Sequence, residues 1–435
     1  MGKIYEEAMN YLYSLPDYER LGKASMDIKR VQHLMEAIGS PHLKLQAIHI
    51  AGTKGKGSTS AMLESILRRA GFRTGLYTSP HLIHVEERIR VNGREIGRSE
   101  LARSILEIGG IAEKNRIPCT TFELLTATAF SWFEAMKVDI AVLETGMGGR
   151  LDATNVIPSP LICVLTSIGL DHIEILGSTI GEIAREKAGI IKPGSTVICS
   201  PQRPEAMAEI EKAADEMRAR VVAVGRDIMY DLISSDRRGP VINFHGIRSR
   251  YEGVRIGLLG SHQAENAAVA IASVEELVGR GYDIKEEAIR EGLRKVKWPG
   301  RLQIVGKRPY IVLDGAHNPD SMEKLVRALD EVFPGVRRIA IFGAMKDKDI
   351  RGMISLLRPA ISYLIATRIK SQRSAGQSDI SSVAKELGIT DICETSELSE
   401  AMERAYKISN PDDLILITGS LYLVGEALEM MRKAS

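Results

Sequence analysis

The chain has 435 residues, which is more than one hydrophobic core usually supports, so we expect two domains. The formal net charge is +2, and no basic stripe with interleaved aromatic residues occurs. This composition excludes the electrostatic footprint of nucleic-acid binding. No apolar run approaches the length of a membrane span, so we expect neither a membrane-spanning segment nor a membrane partner.

The N-terminal residues and the cysteines indicate the compartment. Charged residues interrupt the first twenty positions, so a secretory signal is not expected there. The cysteines stand singly, without the spacing of a metal or redox site, at Cys119, Cys163, Cys199 and Cys393. We therefore expect a cytoplasmic protein, and we expect it to be a monomer.

Short apolar runs alternate with longer amphipathic stretches in the first half of the chain. The predicted strands lie at 45–51, 140–143, 161–166 and 196–199. This alternation indicates a parallel, doubly wound α/β sheet. Three short runs then follow without a helix between them and predict a small antiparallel patch, at 227–233, 241–245 and 254–258. Helical patterns return at 263–279 and 284–293.

A turn at residues 297–300 precedes a second alternation of strands and helices. The predicted strands there lie at 310–313, 338–342, 361–366 and 414–418. We predict a P-loop-type doubly wound N-terminal domain over 1–297 and a smaller Rossmann-like α/β C-terminal domain over 298–435. Ligand sites in such sheets lie at the carboxyl ends of the strands.

The most informative segment runs from an apolar strand into a glycine-rich turn and then into a predicted helix over 60–69. The turn holds Gly52, Gly55 and Gly57 with Lys56, and the hydroxyls of Ser58 and Thr59 follow. Such a turn presents backbone N–H groups and a helix N-terminus to phosphates. The usual P-loop spacing is not met, and a glycine-rich turn with an exposed lysine is the alternative interpretation.

Two further strand ends carry candidate metal ligands. Glu144 ends the strand predicted at 140–143, where an acid would face Mg²⁺ held by a P-loop. His172 lies in the turn after the strand at 161–166. An acid in a solvated turn and a hydrogen-bonded structural histidine are the alternatives.

Lys187 and the segment 314–319 complete the candidate chemistry. Lys187 lies among small apolar residues, and burial would lower its pKa and make the amine reactive; an exposed lysine in a salt bridge is the alternative. Asp314 and His317 follow the strand at 310–313, where they would meet a ribose and a phosphate. A helix-capping turn with Pro319 at the first helical position explains the same residues without a ligand.

Taken together, these segments resemble the folylpolyglutamate synthase family, whose members in many bacteria are dihydrofolate synthases as well, within the Mur ligase superfamily. The matching blocks occur in order along almost the whole chain. They are 49–59, 78–82, 121–123, 144–155, 169–172, Lys187 with its neighbours, 260–266, 298–301, 314–319 and 418–422.

The resemblance implies ATP and Mg²⁺ as cofactors, L-glutamate with a reduced folate or dihydropteroate as substrates, and an acyl phosphate intermediate. It implies that Lys187 carries a carbamate. Catalytic roles fall to Lys56, Glu144, His172 and Lys187. The implied magnesium ligands are Ser79, Glu144, His172 and Lys187. The implied nucleotide contacts are Gly52, Thr53, Lys54, Gly55, Lys56, Gly57, Ser58, Thr59, Asn266, Arg301, Asp314 and His317. The implied substrate contacts are Arg88, Thr121, Phe122, Glu123, Arg150, Asp152 and Ser420.

Some positions depart from the family pattern or have other interpretations. Lys54 stands where this family more often has asparagine, and residues 39–42 replace a common Gly-Asn-Pro segment, so both departures bear on the substrate. Phe122 has helical spacing with core residues and is alternatively a core side chain. We interpret His81 and His84 as structural or peripheral.

Two other functions share part of this pattern. Another Mur-type amino-acid ligase, acting on muropeptides or cyanophycin, would keep the phosphate and metal residues. Only residues 1–51 precede the glycine-rich turn, which speaks against a separate uridine-nucleotide-binding domain. A noncatalytic ATP-binding regulator is the second alternative, and it has no evident need of a carbamylated lysine.

Overall fold

The computed structural model describes residues 2–16 and 27–434. The chain divides into two compact units. The first comprises Met1–Asp231, Asn243–Val254 and Glu265–Val296, and the second comprises Leu232–Ile242, Arg255–Ala264 and Lys297–Ser435. Domains over 1–297 and 298–435 stay a prediction, because two segments of the second unit precede residue 297.

The first unit contains an eight-stranded sheet with the order β4-β3-β2-β5-β1-β6-β7-β8. Six of its strands run parallel, and β3 and β4 are added antiparallel to one edge. The strands are β1 (Ala47–Ala51), β2 (Thr74–Tyr77), β3 (Ile89–Val91), β4 (Arg94–Glu95), β5 (Ile140–Glu144), β6 (Ile162–Leu165), β7 (Thr196–Cys199) and β8 (Arg220–Ala223).

Strand β1 occupies the middle of this sheet. It pairs with β5 on one side and with β6 on the other, and all five of its residues are buried. A strand buried on both faces needs an apolar run rather than an alternating one, which explains the Ile48 and Ile50 pattern. The carboxyl ends of β1, β5 and β6 therefore lie side by side, where ligands bind in such sheets.

Helices cover this sheet. None of the helices that the structure describes combines the length and apolar character needed to cross a membrane. The helices are α1 (Gly2–Ser14), α2 (Ile28–Ala37), α3 (Lys56–Arg69), α4 (Arg98–Lys114), α5 (Thr121–Ala135), α6 (Ile173–Leu176), α7 (Ile180–Ala188), α8 (Pro204–Glu216), α9 (Gln263–Gly279) and α10 (Glu286–Lys295), with 3₁₀ turns at Pro41–Lys44, Val85–Arg88 and Ala153–Val156.

Three consecutive strands form the predicted small antiparallel sheet: β9 (Met229–Asp236), β10 (Gly239–His245) and β11 (Arg250–Arg255). Only two residues connect β9 to β10, a link that fits a hairpin. The third strand was predicted at 254–258 and was placed too late. Ile256 and Leu258 are buried, but they lie beyond the strand, because an apolar pattern reports burial rather than strand pairing.

The second unit contains a six-stranded sheet with the order β12-β13-β17-β14-β15-β16, in which only β12 runs antiparallel to its neighbour. The strands are β12 (Gln303–Lys307), β13 (Tyr310–Leu313), β14 (Arg338–Phe342), β15 (Tyr363–Thr367), β16 (Ile392–Thr395) and β17 (Leu414–Thr418). The helices are α11 (Pro319–Val332), α12 (Ile350–Leu357), α13 (Gln377–Glu386), α14 (Leu398–Ile408) and α15 (Leu421–Ala434), with a 3₁₀ turn at Arg358–Ala360. The predicted α/β fold class is confirmed.

Candidate active site

The glycine-rich turn links β1 to α3 and is shaped by two close approaches. A Cβ atom on Gly52 would lie 1.9 Å from Thr166 Oγ1, and one on Gly55 would lie 2.3 Å from Asn266 Oδ1. Both glycines also have positive φ angles, +149° and +89°. Only glycine fits at either position. Asn266, a predicted nucleotide contact, therefore lies directly against the turn.

The first half of the turn is fixed by the loop after β6. The amides of Thr53 and Lys54 donate to the Ser167 carbonyl at 2.9 and 3.1 Å. The Thr53 hydroxyl donates to the Gly169 carbonyl and accepts from the Gly169 amide, each at 3.1 Å. These hydrogen bonds fix the shape of the first half of the turn.

Helix α3 begins at Lys56, four residues earlier than predicted. Lys56, Gly57, Ser58 and Thr59 therefore form its first turn. The Thr59 amide donates to the Gly55 carbonyl at 2.8 Å, while the amides before it lie at the positive end of the helix, where helical acceptors are lacking. Ser58 and Thr59 are buried. The Thr59 hydroxyl has no hydrogen-bond partner within residues 2–16 and 27–434. This first turn is a ready anion site.

Two lysines share one carbonyl of the turn. Lys56 Nζ donates to the Gly52 carbonyl at 3.0 Å, and Lys187 Nζ, from α7, donates to the same oxygen at 2.8 Å. Lys187 is 3% exposed. Burial and then the nearby Lys56 charge lower its pKa to about 7, and Asp171 opposes the shift. The predicted burial of Lys187 is observed, and a neutral amine is accessible near neutral pH.

Three of the four predicted magnesium ligands lie at or after the ends of strands, and Lys187 lies on α7. Glu144 is the last residue of β5, lies opposite Ile50 of β1, and is 4% exposed. The Ser79 amide donates to Glu144 Oε2 at 3.4 Å. His172 has a left-handed backbone with φ of 47° and places Nε2 3.9 Å from Asp171 Oδ2.

A magnesium site from these residues would need oxygen donors besides the acidic side chains. Among the described residues, no three His, Cys, Asp or Glu side chains are grouped to hold a metal ion. The predicted set contains only Glu144 and His172 of these types. It fits a hard cation if Ser79 contributes its hydroxyl and Lys187 carries an acidic adduct.

Three predicted substrate contacts surround a residue that the sequence did not single out, Tyr77. Its ring lies 5.9 Å from that of Phe122. Burial raises the pKa of the Tyr77 phenol, while the nearby Arg88 guanidinium lowers it and the Asp152 carboxylate raises it. Phe122 also packs against Gly146, where a Cβ would lie 2.6 Å from its ring. Phe122 is half-buried against the core, so the alternative interpretation holds for part of its surface.

Other predicted substrate residues are engaged inside the protein. The Thr121 hydroxyl donates to the Leu12 carbonyl at 3.2 Å, at the end of α1. Glu123 forms an ion pair with Arg30 at 2.6 Å and accepts from the Thr120 amide at 2.7 Å. These contacts stabilise the start of α5, and substrate contacts by Thr121 and Glu123 stay a prediction. Arg150 is half-exposed and pairs with Glu186 at 2.9 Å.

Asp152 lies at the centre of a buried hydrogen-bond chain. It accepts from the Met147 amide at 2.9 Å and from the Thr154 hydroxyl at 2.6 Å. The Thr154 hydroxyl in turn lies 2.8 Å from His49 Nε2. Because Thr154 uses its proton on Asp152, His49 donates from Nε2. Burial lowers the pKa of His49 to about 3, so the ring is neutral.

Further hydrogen bonds connect this loop to the helix that carries Lys187. Asn155 Nδ2 donates to the carbonyls of Arg150 and Gly189, each at 3.0 Å. A Cβ on Gly149 would lie 2.7 Å from the Lys187 carbonyl. The loop after β5 is therefore packed directly on the end of α7.

In the second unit, the loop after β13 is both a cap and a candidate site. Asp314 accepts from the amides of Leu302 and Ala316 at 2.8 and 2.9 Å. Burial raises its pKa, and Arg301 opposes the shift. His317 Nδ1 lies 2.8 Å from the Gly315 carbonyl. Asn318 caps α11 with Pro319 at its first position, as the capping interpretation requires.

Ser420 lies in the short loop between β17 and α15. It is 3% exposed, and its hydroxyl accepts from the Tyr422 amide at 3.1 Å. Gly419 before it has φ of +100° and would place a Cβ 2.6 Å from the Gly343 carbonyl. The loops after β17 and β14 are thus in close contact, and substrate binding by Ser420 stays a prediction.

Comparison with known proteins identifies the architecture. Residues 50–274 match the Mur ligase middle domain, and residues 300–421 match the Mur ligase glutamate ligase domain. The chain is 35% identical to the dihydrofolate synthase/folylpolyglutamate synthase of Bacillus subtilis, covering 99% of this chain and 100% of that protein. The chain belongs to the folylpolyglutamate synthase family of Mur ligases.

Solved structures of this family agree over the full length. Folylpolyglutamate synthase from Thermotoga maritima has a TM-score of 0.88 and 32% identity, covering 99% of this chain and 97% of that one. Escherichia coli FolC in complex with DHPP and ADP has a TM-score of 0.88 and 30% identity, covering 99% and 98%. The resemblance stated from the sequence blocks is confirmed, despite the departure at Lys54.

Proposed function

We propose that the protein is an ATP-dependent ligase that joins L-glutamate to the carboxylate of a folate-type substrate. The observation that carries the proposal is the turn at Gly52–Gly55, whose carbonyl holds both Lys56 and Lys187 beside the first turn of α3. Membership of the folylpolyglutamate synthase family supports the same reaction. ATP, L-glutamate and a folate are its small-molecule substrates.

The reaction has two steps that balance without a nucleophile from the protein. A substrate carboxylate oxygen attacks the γ-phosphorus of ATP, and ADP leaves. The glutamate amine then attacks the acyl carbon, and inorganic phosphate leaves as the amide forms. The amides of the first turn of α3 and the Lys56 ammonium stabilise the charge that develops on the phosphoryl oxygens.

We assign the magnesium ligands as Ser79, Glu144, His172 and a carbamylated Lys187. The carbamate forms when the neutral Lys187 amine attacks CO₂ and loses a proton. The low pKa of Lys187 supports this step, because an ammonium has no lone pair to react. When bound, Mg²⁺ neutralises phosphate charge and orients the phosphates.

We assign the flat ring of the substrate to the surface formed by Phe122 and the loop over 146–155. Arg88 and Asp152 lie near Tyr77 in the same region, which supports an apolar face with a few fixed polar groups. Asn266 is assigned to the nucleotide because it contacts Gly55. Nucleotide contacts by Arg301, Asp314 and His317, glutamate binding by Ser420, a monomeric state and a cytoplasmic location are part of the proposal.

An ADP-release assay tests the function. Purified protein with ATP, Mg²⁺ and L-glutamate is supplied in turn with dihydropteroate, tetrahydrofolate and a UDP-muramoyl substrate. We expect glutamate-dependent ADP release with at least one pteridine substrate and none with the muramoyl nucleotide. Release with the muramoyl substrate alone would establish another Mur-type ligase. Absence of turnover with all three would favour the noncatalytic alternative.

A further inference from the structure

The segment between β2 and β3 is folded tightly on itself. The Thr78 amide donates to the Arg88 carbonyl at 3.0 Å and closes the loop. Within it, the Glu87 carboxylate accepts from the amides of Leu82, Ile83 and His84, at 2.9, 3.0 and 3.1 Å. A carboxylate that accepts three amides holds its loop firmly. The segment therefore has a fixed shape around Arg88.

Among residues 2–16 and 27–434, the His81 side chain makes one hydrogen bond, and it is to Arg88. Arg88 Nε lies 2.9 Å from His81 Nδ1. A guanidinium only donates, so Nδ1 accepts and the ring proton is on Nε2. This bond fixes the orientation of the guanidinium plane relative to the aliphatic part of the Arg88 side chain.

The bond leaves one end of Arg88 available. Within the described residues, the two terminal nitrogens of Arg88 have no hydrogen-bond partner. They carry the parallel N–H groups that match a carboxylate end-on. Tyr77 pairs with Ile89, the residue after Arg88, and the Arg88 charge lowers the pKa of the Tyr77 phenol, whereas Asp152 raises it. The free end thus belongs to the region already assigned to the folate-type substrate.

We propose that His81 is a positioning residue: it holds Arg88 by Nε so that the terminal nitrogens are presented to a carboxylate of the folate-type substrate. This inference rests on the proposed function, and it replaces the interpretation of His81 as peripheral. A lysine at position 88 would keep the charge but lose both the Nε contact and the fork.

A double-mutant cycle tests the proposal, because it asks whether His81 acts through Arg88. His81→Leu and His81→Asn are made in the wild type and in Arg88→Ala. Asparagine keeps an acceptor near the position of Nδ1, whereas leucine removes it. KM for the folate-type substrate and KM for ATP are measured for each, with melting temperature as a check on folding. His33→Leu is a matched control, since His33 is exposed on α2.

We expect His81→Leu to raise KM for the folate-type substrate about tenfold, because a hydrogen bond to a charged group is lost. KM for ATP should change less than about twofold. His81→Asn should recover most of the loss, and His81→Leu should have little further effect in Arg88→Ala. Equal changes in both KM values, or full additivity with Arg88→Ala, would show a merely structural role.

A second variant covers the case in which His81→Leu does not fold. Arg88→Lys removes the same hydrogen bond by changing its donor, and it should raise KM for the folate-type substrate similarly. An unchanged KM in that variant would overturn the proposal. Failure of the proposed function is distinct, since it appears in the wild type as absent ligation with every pteridine substrate.

Discussion

The glycine-rich turn before α3 and the region around Tyr77 differ in how their polar groups are used. At the turn, the Nζ atoms of Lys56 and Lys187 both donate to the Gly52 carbonyl, and ligand oxygens can replace that carbonyl as their acceptor. In the region around Tyr77, Thr121, Glu123 and Asp152 are already engaged by the protein. The sequence blocks shared with the family thus contain two kinds of polar group. Those at the turn can exchange a protein acceptor for a ligand, and those in the region around Tyr77 hold the protein structure together.

This difference teaches how to interpret a motif residue. A side chain whose hydrogen bonds are all internal contributes by holding its neighbours, and its loss should reduce stability. A side chain whose only partner is a replaceable carbonyl contributes to the ligand, and its loss should reduce turnover. Substitutions in the two regions should therefore separate into these two outcomes.

The largest effect is expected for Lys187→Ala. We expect a loss of activity of roughly a thousandfold or more, since the proposed carbamate ligand of Mg²⁺ is removed from the site where phosphoryl charge develops. A short carboxylic acid should restore part of it by replacing the carbamate oxygens. A ¹³C NMR spectrum in ¹³C-bicarbonate should show the carbamate carbon in the wild type only. Lys212→Ala, an exposed lysine on α8, is the control; a missing signal with full activity in bicarbonate-free buffer would contradict the carbamate.

Lys56→Ala should follow. We expect kcat/KM to fall on the order of 100- to 1,000-fold, because a cation that stabilises transition-state charge is lost. The melting temperature should change little, since Lys56 is partly exposed. Lys114→Ala, exposed on α4, is a matched control. Near-normal kcat/KM in the folded variant would remove Lys56 from the phosphate site.

Phe122→Leu sharpens the comparison within the substrate region. Leucine keeps most of the packing against Gly146 but removes the flat ring. We expect KM for the folate-type substrate to rise about tenfold through lost ring stacking, with KM for ATP nearly unchanged. Steady-state kinetics with both substrates varied will measure the split. Equal changes in the two KM values would favour a core role alone.

Glu123→Gln should have the smallest effect on catalysis. It breaks a buried ion pair with Arg30, so we expect a loss of about 1–3 kcal/mol in the free energy of unfolding. KM for the folate-type substrate should stay within about twofold. Urea unfolding and kinetics on the same preparation will check both. An increased KM for the folate-type substrate at unchanged stability would show that Glu123 contacts the substrate. It would contradict the structural role given to Glu123 here.

Much of the fold was predictable, because central strands are continuous apolar runs. The strands at 196–199, 310–313, 338–342 and 414–418 were predicted with the observed bounds. Strand β2 was not predicted, since Gly75 interrupts its apolar pattern; this glycine makes room for the Phe133 ring. Edge strands β12 and β16 were also missed, because their residues are mostly partly exposed and carry little pattern.

The candidate site was predictable where local order determines it. The turn before α3 and the acid that ends β5 are local features, and both lie where expected. The roles of Tyr77, His49 and His81 depend on contacts between distant segments, which no local pattern reports. His49 did carry one signal, since a histidine inside an apolar central strand needs a buried partner. Asp171, beside His172, was overlooked although it lies close enough to influence Lys187.

The buried chain from His49 through Thr154 to Asp152 has a consequence for protein engineering. It joins the strand that ends in the phosphate turn to the loop that follows Glu144. If the loop after β5 is replaced by that of a relative with a different residue at position 49, a buried hydrogen-bond donor or acceptor is left unsatisfied. Loop grafting to change substrate preference will therefore succeed only when residue 49 is exchanged together with the loop.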